Sequence, residues 1–169
     1  VGDANTVRFD LPGMTNQTSL TVRDGIFSDL STGTLWTLWD GTSDPTGTTL
    51  TGYNVTSLQE LNTDLTIGST NISLSTSFTV GDEGGIYAGD GFVIIQDGDT
   101  DNFYLIEIPS GDVTDLGVVA TTSRTFGENW ATWGIAEFDG CDYSVLYTDE
   151  SANDIIRLNL STGVESIAA

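Results

Sequence analysis

No lysine and no histidine occur in this chain of 169 residues, and its basic side chains are four arginines, Arg8, Arg23, Arg124 and Arg157. Against them stand 25 Asp and Glu, for a formal net charge of −21 at pH 7. A nucleic-acid partner is excluded, because binding phosphates depends on Lys and Arg releasing counterions. The same deficit argues against an anionic membrane surface. Without histidine there is no Ser-His-Asp or Cys-His relay and no His-based zinc site. Cys141 is the only cysteine, so an intrachain disulfide is impossible and the expected role is that of a small buried hydrophobe. No apolar run reaches transmembrane length and none reads as a leader, so no membrane insertion is expected. The first residue is Val1, which reads as a processed or partial polypeptide.

Helix signals are also missing. No segment repeats apolar residues at i, i+3, i+4 and i+7 between caps. Phosphate-binding loops that rely on a helix N-terminus are therefore excluded. What remains is strand chemistry. Ser and Thr supply 41 residues, many in alternating runs such as Thr70–Thr79, where the β-branched Thr packs well on a pleated surface. Apolar residues make up 38% of the chain, enough for one domain with a real core. So acidic a surface keeps copies apart unless cations, salt or glycans screen it, which fits an extracellular or cell-surface setting.

The chain is organised around Gly85–Val119. Two apolar runs, Phe92–Ile95 and Phe103–Ile108, flank the acidic turn Asp97-Gly98-Asp99-Thr100-Asp101. A second turn, Pro109-Ser110-Gly111-Asp112, leads into Leu116–Val119. This pattern predicts an antiparallel sheet unit, and two further segments repeat it. The first opens at Gly25-Ile26-Phe27, crosses Thr34–Trp39, turns at Asp40–Asp44, returns through Thr48–Val55 and ends with Thr56-Ser57 and Leu58–Ile67. The third opens at Gly134-Ile135-Ala136, crosses Tyr143–Tyr147, turns at Asp149–Asn153, returns through Ile155–Leu160 and ends with Ser161-Thr162-Gly163 and Val164–Ala168. Gly68–Gly84 adds one more half-exposed strand.

Loose repeats with four short strands each mark propeller blades. The phrases Phe103-Tyr-Leu-Ile-Glu-Ile-Pro-Ser-Gly111 and Ile155-Ile-Arg-Leu-Asn-Leu-Ser-Thr-Gly163 resemble the third strand and following Ser/Thr-Gly turn of the β-propeller repeat families. The resemblance covers residues 24–169, lacks a Trp-Asp blade signature, and implies an all-β fold with blade-like repeats at about 24–67, 85–120 and 130–169. Three blades fall short of a usual ring, so a propeller fragment is the expectation and a Greek-key sandwich the rival. Residues 1–23 read as a separate pair of strands, Thr6–Leu11 and Ser19–Arg23, around Pro12-Gly13. Val7, Phe9 and Leu11 share one face there and could complete a sheet in this chain or a neighbouring copy.

Asp97, Asp99 and Asp101 place a carboxylate at every second loop position, an arrangement that could hold Ca²⁺. Calcium loops of integrin-type propellers are similar, although Asn102 stands where such loops place glycine and Leu105 where a further acid would help. Position twelve is Ile108, which excludes an EF-hand. Trp36/Trp39 and Trp130/Trp133 could stack sugars, but a separation of three puts the members of each pair on opposite strand faces, one of them expected in the core. Asn16, Asn54, Asn71 and Asn159 head glycosylation sequons. The reading that unites these features is a secreted structural or adhesive protein, a glycosylated subunit of a filament or surface layer. Its partners would be copies of itself, another extracellular protein, or glycans. A calcium-dependent binding module is the alternative, and a polysaccharide-active enzyme built on acid pairs ranks last.

Overall fold

The computed structural model describes residues 4–10, 15–22, 26–39, 53–64, 66–80, 85–119, 132–149 and 154–168. Those residues form strands and turns and contain no helix. β1 (Ala4–Asp10) and β2 (Thr15–Val22) make a two-stranded antiparallel sheet with a register shift between Arg8 and Phe9. β3 (Ile26–Ser28), β4 (Leu35–Trp39), β5 (Tyr53–Leu61) and β6 (Ile67–Val80) form a four-stranded meander in chain order. β7 (Gly85–Ala88), β8 (Phe92–Gln96), β9 (Asn102–Glu107) and β10 (Val113–Val118) form a second. The third consists of β11 (Thr132–Phe138), β12 (Tyr143–Asp149), β13 (Asp154–Asn159) and β14 (Glu165–Ile167). The second and third meanders join through β7 and β11 into one curled eight-stranded sheet, ordered β10-β9-β8-β7-β11-β12-β13-β14.

That joint between two units is parallel, pairing Gly85 with Thr132 through Ala88 with Ile135, while the antiparallel pairing expected within each unit is present. Every other described pairing is antiparallel. Within each meander the neighbours are consecutive in sequence, so no Greek-key crossover occurs among the described strands. The curled sheet and its meanders are loosely consistent with propeller-like architecture.

The core explains why Phe92–Ile95 of β8 is an unbroken apolar run. All five residues of β8 are buried: Val93 and Ile95 pack toward the four-stranded sheet, Phe92 and Ile94 toward the third meander. A strand covered on both faces has no polar side to alternate with. β9 divides likewise, with Ile106 in the first cluster and Phe103 and Leu105 in the second. The first cluster joins Phe27, Trp36, Leu38, Val55, Leu58 and Ile72 to Val93 and Ile95; the second joins Tyr87 and Ile94 to Val145, Tyr147, Ile156 and Leu158. Each such side chain contributes about 1.5–3 kcal/mol on burial. Across the first interface Phe78 stacks on Tyr104 at 4.2 Å.

Two expectations change. In the first segment β5 continues through Thr56-Ser57 with a register shift against β6, and the turn falls at Asn62–Thr66, so Leu58 belongs to the third strand and Gly68–Gly84 supplies most of the fourth. Thr56 and Ser57 suit a strand as well as a turn, and the burial of Ser57 between Trp39 of β4 and Ser73 of β6 decides between the two. Cys141 is exposed at a hairpin tip instead of buried. Trp36 is in the core and Trp39 half-buried, as their spacing implies. Trp133 lies in β11, while Trp130 falls outside the described residues.

Candidate functional site

Among the described residues one five-residue turn occurs four times. In Asp29–Gly33, Asp97–Asp101, Glu107–Gly111 and Asn159–Gly163 the first residue accepts from the amide of the fifth and donates to the carbonyl of the sixth. The fifth residue is left-handed in each: Gly33 (φ 73°), Asp101 (58°), Gly111 (77°) and Gly163 (70°). In three of the four, the first side chain caps the loop. Asp29 Oδ1 accepts from Ser31 N and Asp29 Oδ2 from Thr32 Oγ1. Asn159 Oδ1 accepts from Ser161 N and from Thr162 Oγ1. Asp97 accepts from Asp99 N and from the Thr100 hydroxyl.

This turn accounts for two of the three aspartates singled out for calcium. Asp97 is buried and closes its loop, and Asp101 occupies the left-handed position while its Oδ1 accepts from Gln96 Nε2. Asp99 is exposed. No group of three His, Cys, Asp or Glu among the described residues is arranged to hold a metal ion.

Of the sequons, Asn54 is exposed on β5 and Asn71 is exposed on β6, its Nδ2 donating to Ser57 Oγ and Gln59 Oε1. Asn159 Nδ2 donates to Asp142 Oδ2, and Asn16 sits opposite Phe9 in the β1–β2 ladder. Val7 lies on β1 opposite Ser19, and Leu11 lies outside the described residues. Of the predicted residues, the structure pairs Phe9 with Asn16 in that ladder and joins Asp97 with Asp99 within one turn.

A site does form at the opposite end of β8 from the Asp97 turn. There a cleft of about 840 Å³ opens between the second and third meanders. The β7–β8 hairpin (Asp90, Gly91), the end of β9 (Glu107, Ile108) and the end of β11 (Glu137, Phe138, Asp139) border it, with Leu30, Phe92, Tyr143 and Arg157. Three rings run outward from the core. Phe92 is buried and meets Tyr143 edge-on with centroids 5.2 Å apart; Tyr143 stacks on Phe138 at 4.6 Å. Phe138 is 49% exposed and so presents ring surface to solvent. Pairing of Phe138 with Tyr143 at the end of the β11–β12 ladder sets the stack.

Four carboxylates surround those rings. Glu137 pairs with Arg157 at 2.7 Å, both half-exposed. Asp139 Oδ1 accepts from Cys141 N and Asp142 N, each at 2.9 Å, and these bonds hold its carboxyl below the ordinary aspartate range. Partial burial, reinforced by the Glu107 carboxylate, pushes the Tyr143 phenol upward. Glu107 and Asp90 are exposed. A recess of about 370 Å³ continues the cleft past Glu137, Asp139 and Arg157 toward Asn159. The arrangement offers stacking surface, hydrogen-bond acceptors and negative potential in one open groove. The sequence signal that points to it is the short acidic hairpin followed by an aromatic, Asp90-Gly91-Phe92 and Asp139-Gly140-Cys141-Asp142-Tyr143.

No family model, curated protein or solved structure matches this chain.

Proposed function

We propose that this chain is an adhesive or structural β-module of an extracellular or cell-surface assembly, built from blade-like meanders and holding a partner protein or another copy of itself in the groove. The observation that carries this reading is the combination of exposed stacked rings with four carboxylates at one end of the sheet. Aromatic surface contributes contact area at low entropic cost, and flanking charge sets the choice of partner. The net charge of −21 suits a setting where salt or cations screen the molecule.

Bead clustering tests the proposal. Beads coated with the chain are mixed with each other and with beads coated with a panel of extracellular proteins. Clustering that Phe138→Ala abolishes is the expected result; dispersed beads in every pairing, at low and high salt, would remove the reading. Release of reducing sugar from a polysaccharide, lost in Glu107→Gln, would replace it with the enzymatic one.

A further inference from the structure

We infer that the groove recognises a cationic side chain, arginine or lysine, on an extended basic segment of the partner protein. This deepens the adhesive reading above and rests on it. Its ingredients are the ring of Phe138, exposed and stacked on Tyr143, and the exposed carboxylates of Asp90 and Glu107 across the cleft. A cation over an aromatic face gains from the ring's negative surface, and a carboxylate beside it adds charge-assisted hydrogen bonds. The groove already contains one guanidinium–carboxylate pair, Arg157 with Glu137 at 2.7 Å. Arg157 neutralises one of the four acids, so the described lining keeps a negative balance.

Charge complementarity decides the class of occupant. A field of −21 steers a basic partner inward and repels an acidic one. A neutral glycan could stack on the rings yet would gain nothing from that field.

The test measures binding of a fluorescent octapeptide of alternating Arg and Ser to the full chain by anisotropy. A Glu/Ser octapeptide and a neutral xylo-oligosaccharide serve as comparison probes. The Arg/Ser peptide is expected to bind, more weakly as salt rises, and Phe138→Ala or Glu107→Gln should each weaken it about fivefold. Asp99→Asn removes one charge at the far end of the sheet and should leave affinity within about twofold. Because Glu107 is exposed and Phe138 half-exposed, an unchanged melting temperature is expected for Glu107→Gln, and for Phe138→Ala a drop no larger than loss of its stack on Tyr143 would give. Equal weakening by Asp99→Asn would mean diffuse attraction to an acidic surface and would overturn the inference. Groove-dependent binding of the oligosaccharide without the peptide would also overturn it, leaving the adhesive reading with a glycan as ligand. If neither probe binds while Phe138-dependent bead clustering persists, only the cationic specificity falls; if clustering fails too, both readings fall.

Discussion

Asp29 caps its own turn as Asp97 and Asn159 do, and its Oδ1 also accepts from Gly91 N at 2.9 Å. That bond ties the β3–β4 hairpin to the β7–β8 hairpin, beside a backbone bond from Leu30 N to Gly89 O. Burial opposes ionisation of Asp29, but the bonds from Thr32, Gly91 and Ser31 outweigh it and lower the pKa below 3.8. A carboxyl whose folded pKa is depressed stabilises the fold fully above its unfolded value and loses that contribution as pH falls through the folded one. Asp29→Ala is expected to destabilise by about 2–3 kcal/mol at pH 7, since bonds to a charged acceptor contribute about 1.5–3 kcal/mol. Asp29→Asn should cost less and be flatter in acid. Urea melts at pH 7 and below pH 3.8 check both; a variant difference that does not shrink in acid would contradict the assignment.

At the scale of elements, the turn after β9 is where the two main sheets are pinned. Ser75 N donates to Gly111 O and Val113 N to Ser75 Oγ, both at 2.9 Å. A Cβ at Gly111 would sit 2.3 Å from Ser73 O, at a φ of 77°. Gly111→Ala is therefore expected to cost about 2–4 kcal/mol, more than the roughly 1 kcal/mol of a left-handed residue alone. Gly33→Ala shares the turn and the φ but meets nothing within 4 Å, so it should cost only about 1 kcal/mol. Equal losses in chemical melts would show that the close approach to β6 is immaterial.

Turn chemistry also bears on calcium. Because Asp97 and Asp101 already hold the loop and Gln96, EDTA is expected to leave the melting temperature unchanged. A drop on EDTA that calcium reverses would restore the metal reading.

These elements show what was legible. β8 and β9 could be read directly because two-sided burial writes an apolar run, and β13 because Ile156 and Leu158 alternate with exposed residues before a Ser/Thr-Gly turn. The β5–β6 boundary could not, since alternating Ser and Thr serve strand and turn equally. The groove as a whole was not legible: acidic hairpins with an aromatic mark its two halves, but Glu107 comes to Phe138 and Arg157 only through the parallel β7–β11 joint, which no local periodicity encodes.

For the whole molecule the governing quantity is charge. Twenty-five carboxylates and four guanidiniums on 169 residues repel one another more when the chain is compact than when it is unfolded. Acid acts in two directions: approaching the isoelectric point near 4.1 relieves the repulsion, while protonation removes the capping by Asp29. Salt at pH 7 separates the two, because it screens exposed charges over a Debye length of about 30 Å at 0.01 M and 10 Å at 0.1 M while sparing short buried bonds. Raising NaCl from about 0.01 to 0.5 M is therefore expected to raise the melting temperature, by roughly 2–4 °C for each 1 kcal/mol of repulsion removed. Choline chloride at equal ionic strength should act like NaCl if the effect is screening, whereas a gain confined to one cation would mean a bound ion. A melting temperature that falls with salt would mean that attractive pairs such as Glu137–Arg157 outweigh the repulsion, and Glu137→Gln would then abolish part of the fall.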